Sequence, residues 1–94
     1  MSRRAEWQEI LDVEVARWSA LPINELVAQL REVQAYEVER ECKQYQVEVE
    51  LIEDTANYVH VAVSVDDGSV PKGILPLTHS FIRQKSVTVQ ARLR

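Results

Sequence analysis

Cysteine occurs once in this chain, at Cys42, so no intramolecular disulfide and no cysteine-rich zinc site is available, and packing must hold the fold. Glycine occurs twice, at Gly68 and Gly73, too sparsely for a glycine-rich phosphate loop. H-E-x-x-H, C-x-x-C, G-x-S-x-G and EF-hand spacings are all missing. This points away from an enzyme and from any cofactor, although an active site assembled from distant residues would leave no such motif. Asp66-Asp67-Gly68-Ser69 reads as a turn, because the remaining ligands of a calcium loop do not follow it. No apolar run approaches the roughly 18–20 residues that cross a bilayer. The opening Met1-Ser2-Arg3-Arg4-Ala5-Glu6-Trp7 leads into charge rather than into the apolar stretch of a signal peptide. The expectation is a soluble, cytoplasmic protein without a membrane partner.

Acidic residues are absent after Asp67. Residues 1–67 carry 6 basic and 15 acidic groups, a balance of −9, whereas Lys72, Arg83, Lys85, Arg92 and Arg94 give residues 68–94 a balance of +5. The net charge of −4 argues against a general nucleic-acid binder, which needs concentrated positive charge. The split favours pairing of the C-terminal third with the rest of the chain or with an acidic partner.

What remains is a chain of 94 residues, 46% of them apolar, which suits one domain spanning residues 1–94. At about 100° per residue Trp7, Leu11, Val15 and Trp18 share one face, with Ile10 at its margin, and predict a helix over residues 4–19. The two indoles are core anchors or, alternatively, an exposed docking patch. Leu21-Pro22 breaks the pattern, and Ile23, Leu26, Val27, Leu30 and Val33 predict a second helix over 22–33, which with the first makes a helical hairpin.

From Ala35 the period becomes two. Tyr45, Val47, Val49 and Leu51 alternate with polar residues in a strand over 44–53, and Val59, Val61, Val63 and Val65 define another over 58–65. Residues 36–41 are either a separate strand or the start of one long bent strand, because no glycine or proline marks a turn before Tyr45. Residues 77–84 make a further strand, and 87–93 alternate as either an edge strand or a frayed tail. Helices followed by strands describe an α+β fold, two helices packed on one face of a three- to five-stranded, mainly antiparallel sheet.

Glu14 is the least expected residue of the first helix, since its azimuth lies within the apolar face. It is read either as a general acid or a ligand- or partner-binding carboxylate, or as a side chain that reaches water or pairs with Arg17 or an arginine of the tail. His79, Tyr36 and Tyr45 complete a candidate small-ligand set between helices and sheet, with the ligand unspecified. His60 faces away from the valines while His79 shares the parity of Leu77 and Phe81, which separates the two rings and disfavours a metal site. Cys42, flanked by Glu41 and Lys43, reads as a small strand residue rather than a nucleophile. Glu48, Glu50, Tyr58 and His60 on the outward face, with Arg83 and Arg92, are the candidate partner-binding residues. The leading functional expectation is a non-enzymatic binding or assembly module, as a homodimer or with another protein. The alternative is a small-ligand domain or modest enzyme.

Overall fold

The computed structural model describes residues 3–66 and 77–85, with side chains from Ala5 onward. Two helices, α1 (Arg3–Ser19) and α2 (Ile23–Gln29), precede four strands, β1 (Gln34–Arg40), β2 (Lys43–Asp54), β3 (Tyr58–Asp66) and β4 (Leu77–Gln84). The expected strand at 87–93 lies outside the described residues.

The apolar stripe of α1 buries Trp7, Ile10, Leu11 and Trp18, and Glu14 is buried among them at 6% exposure. Val15 is only half-buried, so the stripe runs through Ile10, which the azimuth count puts at the margin. The indole N–H of Trp7 is buried without an acceptor among the described residues.

The helix expected over 22–33 is shorter in the structure. Leu30 donates its N–H to the Leu26 carbonyl at 3.0 Å, and Gln34 Nε2 donates to the Gln29 carbonyl at 2.9 Å, so a side chain from the following strand closes the helix end. Because β1 begins at Gln34, the chain must reverse over 30–33, and Val33 ends up 52% exposed instead of on the buried stripe. A helix of 7 residues is marginal by itself, and burial of Leu26 and Leu30 holds it.

The sheet is an antiparallel meander in the order β1-β2-β3-β4. Residues 36–41 thus belong to a separate strand, which ends at Arg40. Glu41 and Cys42 form the whole connection to Lys43, both with positive φ (52° and 66°), as in a two-residue type I′ hairpin turn. Such turns favour Asn-Gly, and nothing in Glu-Cys announces one. Cys42 is therefore an exposed turn residue rather than a strand residue.

Alternation buries Tyr45, Val47, Val49, Val59, Val61, Val63 and Val65 in one cluster with Trp7, Ile10, Leu11, Trp18, Leu26 and Leu30. Each fully buried valine contributes about 1.5–3 kcal/mol relative to exposure, before chain entropy is counted. Alternation breaks once, between Leu51 and Glu53, where a bulge leaves Ile52 without a cross-strand partner and 47% exposed. Beyond it Glu53 faces His60 and Asp54 faces Val59, so Asp54 shares the valine side and Glu53 the outer side.

Candidate functional site

The nominated residues Glu14 and Tyr36 meet where α1 crosses β1. The Tyr36 hydroxyl donates to Glu14 Oε1 at 2.5 Å and accepts from Trp18 Nε1 at 2.8 Å and Arg17 Nη2 at 3.2 Å. Arg17 Nη2 also donates to Glu14 Oε1 at 3.2 Å, and its guanidinium carbon lies 5.6 Å from the Tyr36 ring centre and 5.9 Å from that of Trp18. One turn of helix places Glu14, Arg17 and Trp18 on one side, and the alternation of β1 turns Tyr36 toward them.

Burial, and then the bond to Glu14, push the Tyr36 phenol above its ordinary value. A phenol so held is a proton donor, not an activated base. The Glu14 carboxylate accepts two donors from its own chain, so the cluster is a closed polar clamp that joins helix to sheet.

Tyr45 belongs to a second seam. Its hydroxyl donates to Glu6 Oε1 at 2.6 Å, with Lys43 Nζ 3.7 Å from the same oxygen. The Tyr45 bond, followed by Lys43, holds the Glu6 carboxyl below its ordinary range despite some desolvation. Arg40 pairs with Glu9. Carboxylates of α1 at Glu6, Glu9 and Glu14 therefore all engage the β1–β2 hairpin. The part played by Glu6 and Glu9 has no separate signal in the sequence, since exposed and moored helix acids look alike there.

His79 stands apart from these groups. It faces Val63 from β4, at the opposite edge of the sheet from Tyr36, three strands or roughly 14 Å away, and is exposed. The set Glu14, Tyr36, Tyr45 and His79 is thus not brought together as one site. Among the described residues, two cavities flank the helices. One, about 160 Å³, is lined by Ile10, Val13, Glu14, Val38 and Arg40, below the roughly 300 Å³ at which drug-sized pockets begin. The other is an open groove of about 570 Å³ along α2, walled by Ile23, Val27, Arg31, Asp54 and Lys85, with Lys85 Nζ bonded to Asp54 Oδ1 at 2.7 Å.

Glu48 and Glu50 are exposed on the outer face, and Tyr58 and His60 are half-buried there. The Tyr58 hydroxyl donates to Glu53 Oε1 at 2.8 Å, which raises the Tyr58 phenol above its ordinary value. Arg83 points to the other side, where Nη1 donates to the carbonyls of Ser19 at 2.5 Å and Leu21 at 2.7 Å, closing the C-terminal end of α1. Arg92 lies outside the described residues.

The side of β4 turned away from β3 has a defined backbone geometry. Lys85 N–H donates to the Asn57 carbonyl at 2.8 Å, and Thr55 N–H donates to the Tyr58 carbonyl at 2.9 Å. With the register Tyr58↔Gln84 this makes Val59↔Arg83, Val61↔Phe81 and Val63↔His79 the hydrogen-bonded pairs between β3 and β4. The N–H and C=O groups of Ser80, Ile82 and Gln84 consequently point away from β3. No described strand lies beyond them.

Among the described residues no group of three or more His, Cys, Asp or Glu side chains is placed to hold a metal ion, and no helix is long and apolar enough to cross a membrane. No protein-family model, curated protein or solved structure matches the chain.

Proposed function

We propose that the protein is a non-enzymatic binding and assembly module, that it works in the cytoplasm, and that it associates by accepting a strand on the edge of β4. The two helices are read as a hairpin covering one face of the sheet, which leaves the other face and the two sheet edges for contact.

One observation carries this reading, the contrast between the two edges. Natural edge strands are guarded by charges, prolines or bulges. β1 has Glu37, Glu39 and Arg40, whereas from Leu77 to Ile82 β4 has no charge, no proline and no break in register. Its one charged side chain, Arg83, is drawn onto the end of α1. Strand addition needs such an edge, with main-chain bonds for affinity and flanking side chains for selection. Tyr58, His60 and Ile82 on the outer face lie within reach of an added strand, and Glu48 and Glu50 lie farther along the same surface. The small-ligand reading has less support, because the polar groups of Glu14, Tyr36 and Tyr45 already bond within the chain.

Hydrogen exchange followed by NMR on the labelled full chain tests the reading. The Ser80, Ile82 and Gln84 amides are expected to slow as protein concentration is raised or when cell extract is added. Open-edge exchange rates under both conditions would overturn it.

A further inference from the structure

Resting on that reading, we infer that the strand received by β4 is the β4 of a second copy, antiparallel, across a two-fold axis.

Charge selects the edge. Acidic side chains are spread unevenly over the sheet: Glu37 and Glu39 on β1, Glu48, Glu50, Glu53 and Asp54 on β2, Asp66 on β3, and none on β4. Two copies joined at β1 would bring four glutamates onto adjacent strands. Joined at β4, each copy keeps its β1 and β2 acids at least two strand spacings from the axis, so those of opposite copies are separated by more than the roughly 10 Å over which exposed charges interact at moderate salt. The molecule thus has one edge that carries acids and one that carries none, its single charged side chain, Arg83, being held on the end of α1, and the second edge suits self-association.

Backbone parity selects the arrangement. In an antiparallel two-fold pairing, residues of equal parity face each other, so the outward amides of Ser80 and Ile82 bond those of Ile82 and Ser80 in the partner, and both apolar faces fall on one side. The register with Phe81 opposite its own copy centres the pairing on residues 80–82. It places the two Phe81 rings at a non-hydrogen-bonded position, where cross-strand side chains are closest. Leu77 then meets Lys85, and His79 meets Arg83, whose guanidinium is already turned toward Ser19 and Leu21. Two sheets of four strands become one of eight, within the usual size range.

Light scattering on the full chain at several concentrations tests the inference. The expected mass tends to twice the 10.8 kDa of the chain. Two variants address the edge. Ile82→Pro removes an N–H that points away from β3 and leaves the β3–β4 ladder intact, while Ser80→Lys places a guarding charge at the strand centre. Each is expected to raise the dimer dissociation constant by more than about tenfold. If Ile82→Pro does not fold, Ser80→Lys decides. In a Cys42→Ser background, Phe81→Cys is expected to give a disulfide-linked dimer on mild oxidation, since facing residues of a non-hydrogen-bonded pair lie within bonding reach.

A monomeric wild type at every concentration overturns the inference, as does dimerisation unaffected by Ser80→Lys. Among monomeric outcomes, Ser80, Ile82 and Gln84 amides slowed only in extract leave the module reading in place with a different partner. Amides already slow in a dilute monomer identify residues 87–93 of the same chain as the occupant. Amides open under all conditions remove both.

Discussion

Glu14 of α1 and Tyr36 of β1 face each other across the helix–sheet seam, the phenol donating to the carboxylate at 2.5 Å while its oxygen accepts from Trp18 and Arg17. The four groups satisfy one another in a region where Glu14 and Trp18 have almost no access to water.

Removing the hydroxyl leaves a buried carboxylate short of a donor and a buried indole N–H without its acceptor. Tyr36→Phe is expected to lower stability by about 1–3 kcal/mol. Glu14→Gln keeps an acceptor oxygen for Tyr36 while that bond becomes a neutral one and the attraction to Arg17, whose side chain is 60% exposed, is lost, so it should lower stability by about 1 kcal/mol. Urea unfolding of both variants checks the order. A smaller effect for Tyr36→Phe than for Glu14→Gln would contradict the clamp.

The same phenol gives an alkaline signature. Burial and Glu14 raise its folded-state pKa, whereas in the unfolded chain it ionises near its ordinary value of 10.0. Its contribution is fully present below that value and is lost as pH rises from there through the folded pKa. The stability difference between wild type and Tyr36→Phe should therefore be smaller at about pH 11 than at about pH 8. Urea midpoints at the two pH values measure it, and a constant difference would show that Tyr36 ionises alike in both states.

Arg83 fastens the other side of α1. Its two bonds to the Ser19 and Leu21 carbonyls have no equivalent in methionine, so Arg83→Met should cost about 1–3 kcal/mol. Amide exchange should rise first around residues 16–21, because those carbonyls sit where α1 ends. Unchanged exchange there would assign Arg83 to solvent.

The Glu41-Cys42 turn holds two non-glycine residues at positive φ. Replacing them with Asn-Gly, the pair this turn favours, should raise stability by about 1 kcal/mol. A thermal melt of the double variant reads the effect, and a loss of stability would mean that the native side chains make a compensating contact.

Leu11 and Val61 are 1% and 0% exposed in the core. Leu11→Ala should cost about 2–4 kcal/mol and Val61→Ala somewhat less, whereas Glu39→Gln, on the outer face, should change stability by less than about 0.5 kcal/mol. Near-neutral results at Leu11 and Val61 would reject the face assignments.

Much of this architecture can be read from periodicity. The stripe through Trp7, Leu11 and Trp18 and the odd-numbered valines declare their elements because burial acts on every residue of the pattern. Single-residue features escape that kind of reading. The end of α2 depends on Gln34 reaching back to Gln29, the first hairpin on two residues with no turn preference, and the bulge on Ile52, which looks like any other strand residue. Glu14 is conspicuous in sequence because its azimuth is wrong for a charge, and Tyr36 lies on the alternating face that meets it. His79 has the right parity for the covered face and is nonetheless exposed, since parity says which side a residue faces and not how far the helices extend over it.

Ile52 also couples two contacts that share no atoms. Because it occupies a place in β2 with no counterpart in β3, Glu53 is delivered to Tyr58 on one side of the sheet and Asp54 to Lys85 on the other. Paired straight through Ile52 with no bulge, β2 would set Glu53 opposite Val59 and Asp54 opposite Tyr58, and the destinations of both acids would be exchanged at once, although neither would have changed in identity. A single-residue gap at this point in another chain therefore closes the bulge and keeps both polar contacts, whereas a chain of full length that pairs without the bulge has them turned inside out.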